Sequence, residues 1–129
     1  MTFNSDKFEC IRYWPESSVP DTQYLAPDSS VIEQKSHLRD LGVEISSDLK
    51  FSDHISNVAS SASMMVGWCM RTFRRRSETV MITIWKSLIQ PKRDYCSQLW
   101  SPSDQASIAM LEGVQRNFTS RIAGMEGKD

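Results

Sequence analysis

The chain has 129 residues, of which 40% are hydrophobic and 24% charged, and its formal net charge is −1. This length and balance are typical of one globular domain at most, and the lack of a long apolar run excludes a predicted membrane span. The charges are unevenly distributed: residues 1–53 carry 5 basic and 10 acidic side chains, whereas residues 54–129 carry 10 basic and 6 acidic ones. The basic second part is therefore the candidate binding region.

The residues that could carry chemistry are few and scattered. Cys10, Cys69 and Cys96 lie far apart and no secretory signal is present, so the sequence favours a reducing intracellular compartment, the cytoplasm or the nucleus. His37 and His54 have no Cys or carboxylate partners at metal-ligand spacing, so no metal site is predicted. Glycine loops for phosphates, nucleophile elbows and paired-carboxylate motifs are also missing, which leaves no self-contained active site.

The first third of the chain is predicted to form short strands. Residues 8–14 alternate and are rich in β-formers, and Pro15 ends the run. Residues 23–33 surround a Pro-Asp-Ser-Ser turn and predict a small hairpin. Residues 37–45 are expected to form one further strand with Gly42 in its middle, where a glycine marks either a simple kink or a bulge that brings the backbone close to another group.

The run from residue 52 to residue 76 is predicted to be a long amphipathic helix. Ser52 can cap it, and apolar or small residues recur at steps of three and four. The members of this apolar stripe are Ile55, Val58, Ala59, Ala62, Val66, Cys69 and Phe73. At 100° per residue, the opposite face collects Met64, Trp68, Arg71, Arg74 and Arg75, and Arg76 follows directly.

A tryptophan followed by guanidinium groups on an outward face suits a phosphate backbone and stacked bases. The alternative is a solvated basic helix end, because cations near a helix C-terminus are favourable by themselves.

Two more helices are predicted. The first spans residues 78–90, ends before Pro91 and is apolar around most of its circumference, so it should be the central buried helix, with Trp85 inside. Residues 91–100 are expected to be a connecting segment. The second helix spans residues 104–124 and packs through a 3-4-3-4-3 seam, with Arg116 pointing away. That seam consists of Ile108, Leu111, Gln115, Phe118, Ile122 and Met125. The predicted fold is α+β and mainly α, with short N-terminal strands or a hairpin before a three-helix bundle.

Six phrases, in the right order, resemble the end of the reverse transcriptase domain of non-LTR (LINE-type, jockey-like) retrotransposons. They cover nearly the whole chain, from Phe3 to about Gly124. The phrases are FNSDK (3–7), HLRDLGV (37–43), LKFSDHI (49–55), IWKSLIQP (84–91), DYCSQLWSP (94–102) and LEGVQR (111–116).

The resemblance implies a division at residue 50. Residues 1–50 resemble the end of the palm, in which Lys7 is similar to a lysine proposed as general acid toward the pyrophosphate leaving group. Leu41, Gly42 and Val43 resemble the primer grip, where backbone lies against the primer end. Residues 51–129 resemble the thumb, a helical layer that clamps the primer–template duplex, and the tryptophan and arginine face suits that role.

The chain departs from the family in lacking the fingers and most of the palm, including the Tyr-Xaa-Asp-Asp carboxylates that hold Mg²⁺ in the full-length enzyme. The expected function is weak, non-specific binding of an RNA–DNA or DNA duplex by a polymerase fragment that is not catalytic alone and holds no cofactor. Met1 is then expected to be an internal methionine of the parent polyprotein. Two alternatives are a small protein-interaction module that self-associates through exposed apolar surface, and a helix-turn-helix DNA reader, for which helix 78–90 is too apolar.

Overall fold

The chain folds as a mainly helical α+β protein, which confirms the predicted fold class. The computed structural model describes residues 4, 7–13 and 22–124. It consists of two compact units, Met1–Phe51 and Ser52–Asp129, which are described separately below. Within the described part of the chain, every helix is too short or too polar to cross a membrane.

The first unit begins with two short parallel strands. β1 (Cys10–Ile11) pairs with β2 (Gln34–Lys35), with Cys10 opposite Gln34, and Lys35 forms an ion pair with Glu9. The strand predicted over residues 8–14 is therefore limited to two residues of the described range 8–13, because its partner offers only two residues to pair with. Residue 14 lies outside the described residues.

The hairpin predicted around residues 27–30 is present. Leu25 and Val31 form an antiparallel bridge, and Ala26 N donates to Ser30 O at 2.8 Å. Inside the turn, Asp28 Oδ1 accepts from the backbone N–H of Ser30 at 3.1 Å, and Ser29 adopts a φ of 66°. The aspartate thus holds the turn as its side chain commonly does, by bonding to backbone two residues on.

The single strand predicted over residues 37–45 is wrong, because the structure divides it into two. β3 (His37–Asp40) and β4 (Val43–Ser46) are antiparallel, with Asp40 opposite Val43. The two residues between them, Leu41 and Gly42, have φ values of 47° and 86°. Positive φ at both central residues is the signature of a type I′ turn. Gly42 therefore supplies a turn conformation, and leucine at the first position concealed the turn from pattern analysis.

The second unit is built on the long helix α1 (Ser52–Thr72), which packs against α5 (Gln105–Thr119). The predicted apolar stripe is confirmed along the helix itself. Its buried members are Ile55, Ala59, Ala62, Val66 and Cys69, and Val58 is half-buried. Two of these buried positions, Ala59 and Ala62, carry small side chains.

The predicted extension of α1 to residue 76 is wrong, because the helix ends at Thr72. In a longer helix Arg71 would face Arg74 and Arg75 at the i+3 and i+4 positions, where like charges destabilise helices. Phe73, predicted in the buried stripe, lies past the helix end and is 37% exposed.

Pro91 does not end the second helix, contrary to prediction. α2 (Glu78–Ile84) continues through a π-helical segment, Trp85–Ile89, into α3 (Gln90–Asp94). At the end of the segment, Gln90 N–H donates to Trp85 O across five residues. Such a wider turn commonly absorbs a local disruption of the helical hydrogen-bond ladder, as proline requires. Residues predicted as a connection are thus mostly helical, including the short α4 (Ser97–Trp100).

The predicted burial of Trp85 is also wrong, since its side chain is half-buried. Its ring lies 5.1 Å from that of Phe118, and the Arg93 guanidinium lies over it at 5.4 Å. On the same helix Ile82 is 42% exposed, so part of the helix surface faces solvent, unlike that of a fully buried helix.

The predicted seam of α5 is wrong at Gln115. Gln115 is exposed and bonds to Arg93, whereas Val114 is buried in its place. Leu111, Phe118 and Ile122 are buried as predicted, and the helix ends at Thr119 rather than at residue 124. Arg116 points outward as expected; Met125 lies outside the described residues.

Candidate nucleic-acid interface

An open apolar groove of about 500 Å³ runs between α1 and the helix that carries Pro91. Its walls are thioether, indole and aliphatic groups, with a hydroxyl and an ammonium group at the edge. Lys92 Nζ lies 3.3 Å from Ser61 Oγ, which bridges the two helices. The lining residues are Ser61, Met64, Met65, Trp68, Leu88 and Lys92.

Trp68 is an exposed aromatic surface next to this groove. Its side chain is 48% exposed, and Phe73 packs against it edge-to-face, with ring centroids 6.2 Å apart and an interplanar angle of 84°. Because one aromatic neighbour holds the indole without covering it, part of the ring is open to solvent. A held and open indole is the kind of group on which nucleobases stack.

Four arginines follow Trp68 within eight residues, and we call residues 71–76 the arginine segment. Arg71 lies in the last turn of α1, and its Nη1 is 3.6 Å from the position that a Cβ on Gly67 would take. The side chain thus lies along the helix, in the space left by a glycine one turn earlier. Arg74, Arg75 and Arg76 lie in the non-helical residues 73–77, and all four arginines are exposed.

The arginine segment differs from the other arginines of this unit. Arg116 pairs with Glu112 at 3.2 Å, Arg121 donates to Asn117 at 3.0 Å, and Arg93 covers Trp85. None of the four guanidinium groups of the segment forms an ion pair or hydrogen bond with another residue of the described chain. These four charges therefore stabilise that part of the molecule through no ion pair or hydrogen bond.

The structure brings together only part of the predicted face. Met64, Trp68 and Arg71 share the exposed side of α1, whereas Arg74 and Arg75 lie beyond its end, so the continuous helical basic face is a wrong prediction. Sequence reasoning missed Lys92, and it placed Phe73 in the buried stripe and not against Trp68. Lys92 was assigned to a connection that is in fact helical, and the only sequence signal for it was a pair of cations following Pro91.

The primer-grip-like residues lie at the tip of the β3–β4 hairpin in the first unit. Leu41 is 82% exposed, Gly42 completes the turn, and Val43 is 2% exposed at the start of β4. Lys7 is exposed, and its backbone N–H donates to Asn4 O at 3.2 Å. The proposed role of its side chain stays a prediction.

Two titratable side chains of the helical unit have raised pKa values. Burial in α1 raises the pKa of the Cys69 thiol, which disfavours the nucleophilic thiolate. The hydrogen bond with Cys96 raises the pKa of the Tyr95 phenol. In residues 4, 7–13 and 22–124, no group of three His, Cys, Asp or Glu side chains could hold a metal ion.

Two known proteins are similar to this chain. A probable RNA-directed DNA polymerase from the transposon X-element of Drosophila melanogaster is 22% identical over 126 residues, which are 95% of this chain and 14% of the polymerase. An uncharacterized protein of Caenorhabditis elegans is 24% identical over 85 residues, which are 66% of this chain and 43% of that protein. The chain therefore spans less than half the length of both relatives.

No protein-family profile matches the chain. No solved structure matches it significantly either. The similarity to the X-element polymerase supports a relationship with the reverse transcriptases of non-LTR retrotransposons.

Proposed function

We propose that this chain is a palm-end and thumb fragment of a retrotransposon reverse transcriptase and binds primer–template duplexes without sequence preference. The observation that carries the proposal is the arginine segment, whose four exposed guanidinium groups form no ion pair or hydrogen bond with another residue of the described chain. A polymerase clamp must hold every sequence equally, and phosphate contacts carry no base information. The likeness to the X-element polymerase supplies the nucleic-acid context.

The position of the segment favours phosphate contact. Arg71 is fixed at the end of a 21-residue helix, while the next three arginines follow in residues 73–77, which are neither helix nor strand. Guanidinium groups on such a segment can follow a phosphate backbone, and each one that neutralises a phosphate releases a condensed counterion. Four such contacts give a salt slope of about −3.6 and a fall in affinity of roughly 150-fold between 50 and 200 mM salt.

Trp68 has a different role in the proposal. Its half-exposed indole, held edge-on by Phe73, stacks on a base or a sugar at the edge of the bound duplex. Stacking releases no counterions, so it adds affinity without adding salt dependence. The two contributions can therefore be separated experimentally.

The hairpin tip supplies the primer-side contact in this proposal. Leu41 is an apolar residue that is 82% exposed and has a φ of 47°. This left-handed backbone conformation costs a residue such as leucine about 1–2 kcal/mol. A strained and exposed apolar residue is a reason to infer a contact. The proposed contact is with the primer end, as the resemblance to the primer grip implies.

The test is fluorescence anisotropy on a random-sequence duplex at several salt concentrations. Replacing Arg71 and Arg75 with alanine should reduce the magnitude of the slope by about two units. Trp68→Ala should weaken binding at every salt concentration with little change in slope. An Arg116→Ala, Arg121→Ala variant is the matched control, since it removes the same charge from side chains that already have partners.

Equal slopes for the two double variants would refute the assignment to the arginine segment. A different outcome is that neither double variant loses binding and the chain self-associates in sedimentation experiments. That outcome would favour the protein-interaction module, for which the open groove is the candidate surface. The proposal assigns binding and no nucleotide transfer to this chain. Template-dependent primer extension by the purified protein with Mg²⁺ would contradict that part.

A further inference from the structure

The segment between α1 and α2 presents a serine directly after three arginines. Residues 73–77 are exposed and belong to neither helix, and Ser77 has a φ of −65° and a ψ of 148°, which is extended backbone. Backbone hydrogen bonds hold the two ends of the segment, from Phe73 N to Cys69 O at 2.8 Å and from Met81 N to Ser77 O at 3.0 Å, and between them Ala123 N donates to Arg76 O at 3.1 Å. This is an accessible, non-helical peptide with cations at the three positions before a hydroxyl group.

The Ser77 hydroxyl is not used by the fold. Although Ser77 is the N-cap residue of α2, its side chain makes no capping hydrogen bond. Two hydroxyls beside Arg116 and Arg121 are engaged instead: Thr119 Oγ1 donates to Gln115 O at 3.0 Å and Ser120 Oγ to Asn117 O at 3.1 Å, both at the end of α5. Modifying Ser77 therefore costs no bond that stabilises the helix.

We propose that Ser77 is a phosphorylation site for an arginine-directed protein kinase. Such a kinase recognises its substrate through charge pattern, with carboxylates facing the arginines two and three residues before the acceptor, here Arg75 and Arg74. In the transfer, Ser77 Oγ attacks the γ-phosphorus of ATP, and an O–P bond forms as the bond to the bridging oxygen of ADP breaks. The hydroxyl proton passes to the catalytic carboxylate of the kinase, and ADP leaves.

The consequence for binding rests on the proposed function. A phosphoserine carries a charge of about −1.5 to −2 at neutral pH, so it offsets about two of the three adjacent arginines. If duplex binding uses four phosphate contacts, the loss of two changes the salt slope from about −3.6 to about −1.8 and lowers affinity roughly 60-fold at 0.1 M salt. Phosphorylation is thus a switch that releases nucleic acid.

The first part of the test measures the modification alone. The full chain is incubated with the catalytic subunit of an arginine-directed kinase and ATP, and intact mass and peptide mapping count and locate phosphoryl groups. We expect one group, on Ser77, and none on Ser77→Ala. An Arg74→Gln, Arg75→Gln variant should react at least about tenfold more slowly, because two charge-assisted contacts are lost, whereas Thr119→Ala should react normally. No incorporation, or incorporation unaffected by Ser77→Ala, would overturn the assignment.

The second part compares the phosphorylated and unmodified chains in the anisotropy assay. The expected result is the shallower salt slope, restored by phosphatase treatment. A modified chain that keeps the full slope would overturn the switch. Lack of binding by the unmodified chain would refute the proposed function and the switch together, and the mass result would still decide the modification site by itself.

Discussion

Replacing Phe118 with alanine tests the packing of the helical unit most directly. Phe118 is 1% exposed, lies on the face of α5 that packs against α1, and holds the ring of Trp85 at 5.1 Å. A buried Phe→Ala change typically costs about 3–5 kcal/mol, since it removes transfer free energy and leaves a cavity. A total stability of about 5–15 kcal/mol leaves little margin for this loss. We expect Phe118→Ala to be strongly destabilised or unfolded.

Trp85→Ala should cost less, although tryptophan is the larger residue. The substitution removes the aromatic pair with Phe118, worth about 0.5–1.5 kcal/mol, and the contact with the Arg93 guanidinium, worth about 0.5–1 kcal/mol. It also removes the apolar area of the indole that is buried. The expected total is about 2–3 kcal/mol, against at most about 0.5 kcal/mol for the exposed control Ile82→Ala. Urea unfolding followed by far-UV circular dichroism measures all three. A Trp85→Ala cost equal to or above that of Phe118→Ala would refute the packing order.

The remaining predictions concern a helix cap and a turn. Asp104 accepts a hydrogen bond from Ser107 N–H at 2.7 Å. This bond lowers the pKa of the Asp104 carboxyl below its value in the unfolded chain. The ionised carboxylate therefore stabilises the fold above the unfolded pKa, and this stabilisation is lost as pH falls through the folded pKa. Asp104→Asn keeps a good cap but should remove this part of the acid sensitivity of the melting temperature; an unchanged acid profile would contradict the assignment. In the β3–β4 turn, Leu41→Asn should slow amide exchange, with a gain of about 0.5–1 kcal/mol, and Gly42→Ala should accelerate it, with a loss of about 1 kcal/mol. The opposite signs would exclude the type I′ turn.

Local patterns predicted the elements whose environment follows from sequence spacing. The apolar stripe of α1 and the turn around Asp28 depend on neighbours within a few residues, so period and turn chemistry were enough to predict them. The candidate interface was only half predicted. Trp68 and Arg71 follow from helical spacing, but the end of the helix at Thr72 separates them from the later arginines.

What the sequence by itself determined is the mainly helical class, the stripe by which α1 packs, and the concentration of positive charge after Trp68, because these follow from side-chain identity and local period. Tertiary structure decided the rest. The π-helical turn before Pro91 carries the helix onward and places Lys92 beside Ser61, a contact between residues 31 positions apart that no local period encodes. Likewise, the burial of Phe118 and the partial exposure of Trp85 follow from the way α5 and the helix through Pro91 pack together. The hydrophobicity of a side chain predicts that it tends to be buried, but it does not predict which neighbouring residues bury it.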